Sequence, residues 1–142
     1  MKKVITILII IITIIIIGIF GIKVYIKKDE QKRYNEIKES VKKAVEWQIK
    51  ATQPYCTLVH GIPDNMKSNS GGHMQSKHLI NSGYIKKEEL LDIDKKSYCD
   101  VYVVTRDDHV EELNPKKGCT VYYEYYLKCK NYKDKGYFNW EG

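Results

Sequence analysis

The sequence lacks the residue spacings that mark a metal site or a catalytic centre. Structural zinc sites use cysteine and histidine ligands a few residues apart, whereas the four cysteines here are separated by 43, 20 and 10 residues. Cys56 with His60, or Cys99 with His109, could supply a nucleophile and a base, but no spacing implies a third group to orient them. We therefore expect no enzyme, no catalytic residue, no metal and no cofactor.

A calcium loop with the D-x-D-x-D-G pattern is also absent. Oxygen ligands are nevertheless available in one acidic stretch, which contains Glu88, Glu89, Asp92 and Asp94. A calcium site is one interpretation of this stretch, and a solvated acidic turn is the more ordinary one.

Basic runs interleaved with aromatic residues, which are typical of nucleic-acid-binding surfaces, are missing as well. The charges alternate in sign along the chain, and the formal net charge is +6. Phenylalanine and tryptophan are scarce, at two each, against twelve tyrosines. We expect no nucleic-acid partner, weak attraction to anionic surfaces, and tyrosine rings that are half buried with their hydroxyls in water.

The sequence does contain one uncharged apolar segment of 19 residues, at positions 4–22. An α-helix of that length crosses the hydrocarbon core of a bilayer. The alternatives are a buried core helix and a cleaved secretory signal, but the exit from Gly18 to Lys23 lacks the small-residue site that signal peptidase requires. We predict an uncleaved, single-pass transmembrane helix, with the lipid bilayer as its partner.

The charges that flank this segment make its orientation a contested point. More basic residues follow the segment than precede it, so the positive-inside rule alone places the C-terminal part in the cytoplasm. However, long domains translocate largely regardless of charge, and a short start with Lys2 and Lys3 is typical of exported chains. An even number of cysteines without metal spacing also favours an oxidising compartment. We predict a cell-membrane protein with an extracellular C-terminal domain.

The patterns divide the chain into four segments: a basic tail at 1–3, the transmembrane helix at 4–22, an amphipathic stalk helix at 23–53, and a small α+β domain at 54–142. In the stalk, apolar residues recur every three or four positions from Tyr34 to Ile49, which marks one helix face. Pro54 is expected to end this helix.

Residues 56–73 are rich in glycine, proline, asparagine and serine, which predicts a loop throughout. A short helix should follow and should end at Gly83 in the left-handed conformation. Its expected inner side consists of Met74, His78, Leu79 and Ile80. One or two further helical turns are expected at 86–91.

Near residue 99 the apolar period changes to two, which predicts strands at about 99–105 and 119–129. On the second strand, one face carries Val121, Tyr123, Tyr125 and Leu127. The two strands should pair as an antiparallel hairpin centred on residue 114, within a small antiparallel C-terminal sheet. The fold class is therefore α+β, with a long N-terminal helix.

The four cysteines, Cys56, Cys99, Cys119 and Cys129, allow three disulfide pairings. The expected hairpin brings Cys99 close to Cys129. That pairing leaves Cys56 with Cys119.

The order of these parts resembles small pilin-like and pseudopilin-like proteins of low-GC Gram-positive bacteria. The resemblance rests on the apolar helix that continues as an amphipathic one, on the turn Leu79-Ile80-Asn-Ser-Gly83-Tyr84-Ile85, and on a sheet bracketed by Cys99 and Cys129. Prepilins carry a Gly-Phe cleavage site before the apolar stretch and a glutamate within it. Here Lys3 directly precedes Val4, without a Gly-Phe site between them, and residues 4–22 contain no carboxylate. The resemblance thus implies a pilin-like fold without prepilin processing.

Two functions are compatible with these features. The first is a pilin-type or pseudopilin-type subunit that acts through homo-oligomeric, envelope or secretion-system contacts. The second is a monomeric, membrane-tethered binding or sensing module for a peptide or a cell-wall polymer. In both, the expected contact surface consists of Tyr122, Tyr126, Tyr132, Tyr137 and Trp140, and ordinary packing of the sheet is the alternative explanation for these aromatic residues.

Overall fold

The chain divides into two compact units, Met1–Asn35 and Glu36–Gly142. The computed structural model describes residues 2–67, 71–108 and 118–137, with side chains from Ile9 onward. Helix α1 comprises Lys2–Thr52 and contributes to both units.

In the first unit, the described apolar side chains from Ile9 to Ile26 are exposed. Ile12 is 48% exposed and Phe20 is 66% exposed, although burial is the usual fate of such residues in a soluble domain. The Thr13 hydroxyl donates to the Ile9 carbonyl at 2.8 Å, so this polar group is satisfied within the helix, as a bilayer requires. Within the described part of the chain, the segment Ile9–Thr52 is the one helix long and apolar enough to cross a membrane. It is consistent with a single-pass anchor.

The second unit begins with the last turns of α1. The predicted amphipathic face is confirmed there, because the residues at steps of three and four are buried: Ile37, Val41, Ala44, Val45 and Ile49. The helix ends at Thr52, two residues before Pro54, as expected.

A sheet of four strands forms the body of the second unit. Strands β1 (Thr57–His60), β2 (His73–Gln75), β3 (Asp100–Asp107) and β4 (Thr120–Lys128) lie in the order β1-β4-β3-β2. Pairs β2–β3 and β3–β4 are antiparallel, and β1–β4 is parallel. The α+β class is confirmed, but the sheet is mixed rather than purely antiparallel.

The predicted hairpin is formed by β3 and β4. Asp100 lies opposite Lys128, and Asp107 lies opposite Val121, a register centred on residue 114. One face of the hairpin is turned toward α1, since the Tyr123 hydroxyl donates to Glu46. The buried residues on this helix-facing side are Val101, Val103, Val121, Tyr123 and Leu127.

The prediction of a loop throughout 56–73 was wrong. This stretch contains β1, a 3₁₀ helix at Asp64–Met66 and the first residue of β2. Neither short strand has a local apolar repeat, and each is held by backbone hydrogen bonds to a strand far along the chain. Helix α2 comprises Ser76–Asn81, and a second 3₁₀ helix comprises Lys87–Leu90.

The predicted inner side of the short helix was right for Leu79, and Ile80 is half-buried. Leu79 is fully buried, whereas Met74 lies in β2 and His78 is exposed. Gly83 follows α2 with φ of +75°, and the Tyr84 amide donates back to the Leu79 carbonyl at 3.0 Å, the left-handed helix end that was expected.

Candidate contact surface

Two disulfides fix both ends of β4. Cys56 is joined to Cys119, and Cys99 is joined to Cys129, which are the two pairs that the hairpin argument favours. The first disulfide ties the starts of the parallel strands β1 and β4, where the Thr57 amide also donates to the Cys119 carbonyl at 2.8 Å. The second closes the open end of the hairpin. All four sulfurs are therefore committed to cross-links and none is a free thiol for nucleophilic chemistry.

Asp92 lies close to the sulfurs of Cys99 and Cys129, in the one cluster of metal-ligand residue types in the described ranges. Its carboxylate oxygens accept the backbone amides of Ile93 at 2.7 Å and Lys130 at 2.9 Å. The buried Asp92 thus accepts hydrogen bonds from the backbone of two chain segments beside the disulfide. Because the two cysteines are oxidised, they offer no thiolate to a metal.

In the acidic stretch that was considered as a calcium site, Asp94 belongs to a hydrogen-bonded turn. One oxygen of Asp94 accepts the amides of Lys96 and Ser97, each at 2.9 Å, as well as the Ser97 hydroxyl. These bonds, led by the one from the Ser97 amide, lower the pKa of Asp94 far below its ordinary value. The Asp94 carboxylate therefore accepts hydrogen bonds from the residues of the turn that it begins.

An aromatic cluster covers part of the outer face of the sheet, the face turned away from α1. The Tyr102 ring stacks on those of His73 and Tyr126, with centroids 5.7 and 6.4 Å away, and meets Tyr137 edge-on at 6.4 Å. The Tyr102 hydroxyl oxygen lies 2.8 Å from His73 Nδ1. Partial desolvation and the nearby Arg106 lower the pKa of His73.

Glu124 anchors this outer face to the loop after β1. One of its oxygens accepts the Ile62 amide at 2.9 Å, and the other accepts the Tyr126 hydroxyl. Burial and the bond to Glu124 raise the pKa of Tyr126 to about 12. The phenol therefore stays protonated and serves as a donor, not as an acid or base near neutral pH.

The structure divides the five aromatic residues that the sequence proposes as one contact surface. Tyr122, Tyr126 and Tyr137 belong to the outer face, where Tyr122 lies opposite Arg106 and Tyr126 opposite Tyr102. Tyr132 belongs elsewhere, because its hydroxyl accepts a hydrogen bond from Lys38 of α1 at 2.6 Å and donates to Asp134 at 2.7 Å. Trp140 lies outside the described residues.

Sequence reasoning missed Tyr102 and His73 as members of the outer cluster. Tyr102 alternates with buried valines on β3, and its position opposite Tyr126 follows from the hairpin register, so that signal was available. His73 was hidden, because it belongs to a strand that was interpreted as a loop.

Much of the outer face is occupied by contacts among its own side chains. The hydroxyl of Tyr126 and the carboxylate of Glu124 are bonded to each other, and Tyr102 is only 7% exposed. Tyr122 is half-buried and leaves part of its ring at the surface, beside the exposed Val59 that it opposes on β1. Comparison of the chain with known protein families, with curated proteins and with solved structures finds no match.

Proposed function

We propose that this protein is a membrane-anchored, non-enzymatic, extracytoplasmic domain that acts through protein contacts, in the manner of pilin-type or pseudopilin-type subunits. One observation carries the proposal: an exposed apolar helical segment precedes a unit whose four cysteines are all paired in disulfides. Disulfides persist in oxidising compartments and are rare in the cytosol. The disulfides thus favour the extracellular side for the second unit, against the count of flanking lysines.

The contacts are assigned to the outer face around Tyr122. Its ring and Val59, which lies opposite it on β1, make a small surface of mixed polarity. Tyrosine is enriched at protein interfaces because it combines a large apolar ring with a hydroxyl. A monomeric binding module is the second candidate function. It is favoured by a cavity of about 430 Å³ on the other side of the sheet, between the end of α1 and residues that include Gly71, Thr105 and Val121.

The orientation is tested by thiol alkylation on intact cells. The second unit should be unreactive toward a maleimide-linked polyethylene glycol until a membrane-impermeant reductant is added, and should then gain up to four labels. Labelling that requires permeabilised cells but no reductant would place the cysteines in the cytoplasm as free thiols. That result would refute the extracytoplasmic assignment.

The mode of action is tested by cross-linking in native membranes. A ladder of homo-oligomers that disappears in Tyr122→Ala supports the pilin-type subunit. Tyr55→Ala is the matched control, because Tyr55 is 80% exposed and lies outside the sheet. A monomer, or a cross-link to a different protein, supports the binding module instead.

A further inference from the structure

Strand β1 forms one edge of the sheet. It pairs with β4 on one side, and no strand in the described ranges pairs with its other side. The amides of Thr57 and Gly61 donate to carbonyl oxygens on the β4 side, at 2.8 and 2.9 Å. Because the backbone groups of a strand alternate in direction, those of Leu58 and His60 face away from β4. Their N–H and carbonyl groups are therefore directed toward the open edge.

This edge lacks the residues by which natural sheets avoid pairing with other chains. Charged side chains, proline, or a covering helix or loop usually protect an edge strand. The segment Thr57–His60 contains no lysine, arginine, aspartate, glutamate or proline. Its residues other than Leu58 are exposed, and Val59 is 37% exposed on the outer face of the sheet. The open edge of β1 is thus accessible and uncharged.

The edge is also held in a fixed conformation. The Cys56–Cys119 disulfide directly precedes β1, and Gly61, with φ of +101°, follows its last residue. Between these two points the strand is hydrogen-bonded to β4 along its length. A strand that is already ordered loses little conformational freedom when a second strand pairs with it. The edge is therefore preorganised for the addition of a strand.

We propose that β1 pairs with β1 of a second copy of this chain, antiparallel about a two-fold axis at Val59. In this register Leu58 of each copy lies opposite His60 of the other, and the two residues exchange both backbone hydrogen bonds. Every outward N–H and carbonyl group of Leu58 and His60 then has a partner. Val59 lies opposite Val59 of the second copy, in the non-hydrogen-bonded pair where side chains approach most closely.

Two features favour a second copy as the partner. With histidine neutral, the strand carries no formal charge, so a two-fold axis brings no like charges together. The axis also places Val59 and Tyr122 of one chain beside the same two residues of the other, because Tyr122 lies opposite Val59 on β4. Pairs of β-branched and aromatic residues across neighbouring strands stabilise sheets. The pairing therefore extends the surface around Tyr122 across both copies.

This inference rests on the first candidate function, the pilin-type subunit, and identifies the partner at its contact surface as a second copy. The two can fail separately. Homo-oligomers in membranes that are unaffected by charges placed at Val59 would overturn edge pairing and leave the proposed function intact. Monomers alone in membranes would overturn both.

The test is amide hydrogen exchange, measured by NMR on the full chain in detergent micelles at about 0.05 mM and about 1 mM protein. In a single chain the Leu58 and His60 amides face solvent, whereas the Val59 amide faces β4. At the higher concentration, exchange at Leu58 and His60 should slow about threefold, as expected for a Kd on the order of 0.1 mM. Exchange at Val59 should not change. Exchange at Leu58 and His60 that is independent of concentration would overturn the proposal.

Charges placed at the two-fold axis test the register. Val59→Lys and Val59→Glu each set like charges opposite each other, and each should weaken dimerisation about tenfold. An equimolar mixture of the two variants should restore the dimer, because the axis then joins opposite charges. Ala51→Lys and Ala51→Glu, at an exposed position on α1, are the matched controls and should have no effect, alone or mixed. Sedimentation velocity in micelles measures the fraction of dimer.

The Val59-position amide also reports folding, since its protection from exchange should persist in both variants. No recovery of the dimer in the mixture, with that protection intact, would overturn the proposal. A photo-cross-linking residue at position 59 should capture a second copy in native membranes. Capture of a different protein would overturn self-pairing and would favour the binding module.

Discussion

Lys38 of helix α1 donates to Asp134 at a distance of 2.6 Å, across 96 residues of sequence. The second oxygen of Asp134 accepts the amide of Leu127, at the end of β4, at 2.9 Å. The Asp134 amide also donates to the Leu127 carbonyl, so hydrogen bonds join the segment after β4 both to α1 and to the end of β4. Burial raises the pKa of Asp134, but the bonds from Lys38, Tyr132 and Leu127 outweigh it, and the pKa lies below its ordinary value.

Asp134→Asn should reduce the sensitivity of the domain to acid. A carboxyl group whose pKa is lower in the folded state adds stability above the unfolded pKa of 3.8, and that stability is lost as pH falls through the folded value. At pH 7 the variant should unfold more easily, by about 1–3 kcal/mol, because a charge-assisted bond is lost.

This prediction is measured by urea unfolding of the full chain in micelles at pH 7 and pH 3. The difference in free energy of unfolding between the two pH values should be smaller in Asp134→Asn than in the unaltered chain. An equal difference would mean that other carboxyl groups, such as Asp94 and Glu124, whose pKa values are also lowered, carry the acid response.

Tyr123→Phe should destabilise the contact between α1 and the sheet. Tyr123 is 1% exposed, and its hydroxyl donates to Glu46 at 2.5 Å. Burial and this bond raise the pKa of Tyr123 above that of an ordinary tyrosine, so the hydroxyl stays protonated and can donate the hydrogen bond. Loss of the hydroxyl leaves the Glu46 carboxylate with one hydrogen bond fewer and should lower the free energy of unfolding by about 1–3 kcal/mol.

The matched control is Tyr55→Phe, at a tyrosine that is 80% exposed. It should leave the free energy of chemical unfolding unchanged. A similar loss in both variants would argue against a specific role for the Glu46 bond.

Gly71→Ala should disturb the wall of the cavity. A Cβ atom there would lie 2.0 Å from the Thr105 carbonyl oxygen, which is backbone and must shift to make room. We expect a loss of about 1–3 kcal/mol in stability. Gly118→Ala is the control, since nothing lies within 4 Å of the Cβ it would add. Thermal unfolding followed by near-ultraviolet circular dichroism compares the two, and equal melting temperatures would contradict the packing described.

Replacement of either cysteine pair by serine should destabilise the domain by about 3–4 kcal/mol, by the chain-entropy argument. The Cys56–Cys119 pair closes 63 residues and the Cys99–Cys129 pair closes 30, so the first should cost slightly more. Urea unfolding at neutral pH measures both double variants. A larger loss for the shorter loop would show that local packing around Asp92, not loop closure, dominates.

The hairpin and the buried helix face were predictable because both depend on patterns within a few residues. Alternation of Val101 and Val103 with Asp100 and Tyr102 predicts a strand, and the register then places Cys99 beside Cys129. Steps of three and four from Ile37 to Ile49 predict the buried side of α1.

The short strands and the cavity were not predictable, since they arise from contacts between distant parts of the chain. Thr57–His60 becomes a strand because residues 120–123 pair with it, and no alternation of apolar residues within this segment predicts that pairing. Gln48 lines the cavity, but in the sequence it cannot be told apart from any other polar residue on a helix surface. The pair Gly71-Gly72 was the available signal for a close backbone approach, but it was interpreted as part of a loop.

The parallel pairing of β1 with β4 has a consequence for the order of events during synthesis. Cys56 leaves the ribosome first, Cys99 follows, and Cys119, the native partner of Cys56, comes only afterwards. An oxidant that acts on the growing chain therefore meets Cys56 and Cys99 together before either native partner is available. Any Cys56–Cys99 bond formed in that interval has to be exchanged for the native pairs, a step of seconds to hours. The order of the cysteines along the chain thus opens one non-native pairing before the native pairs can form.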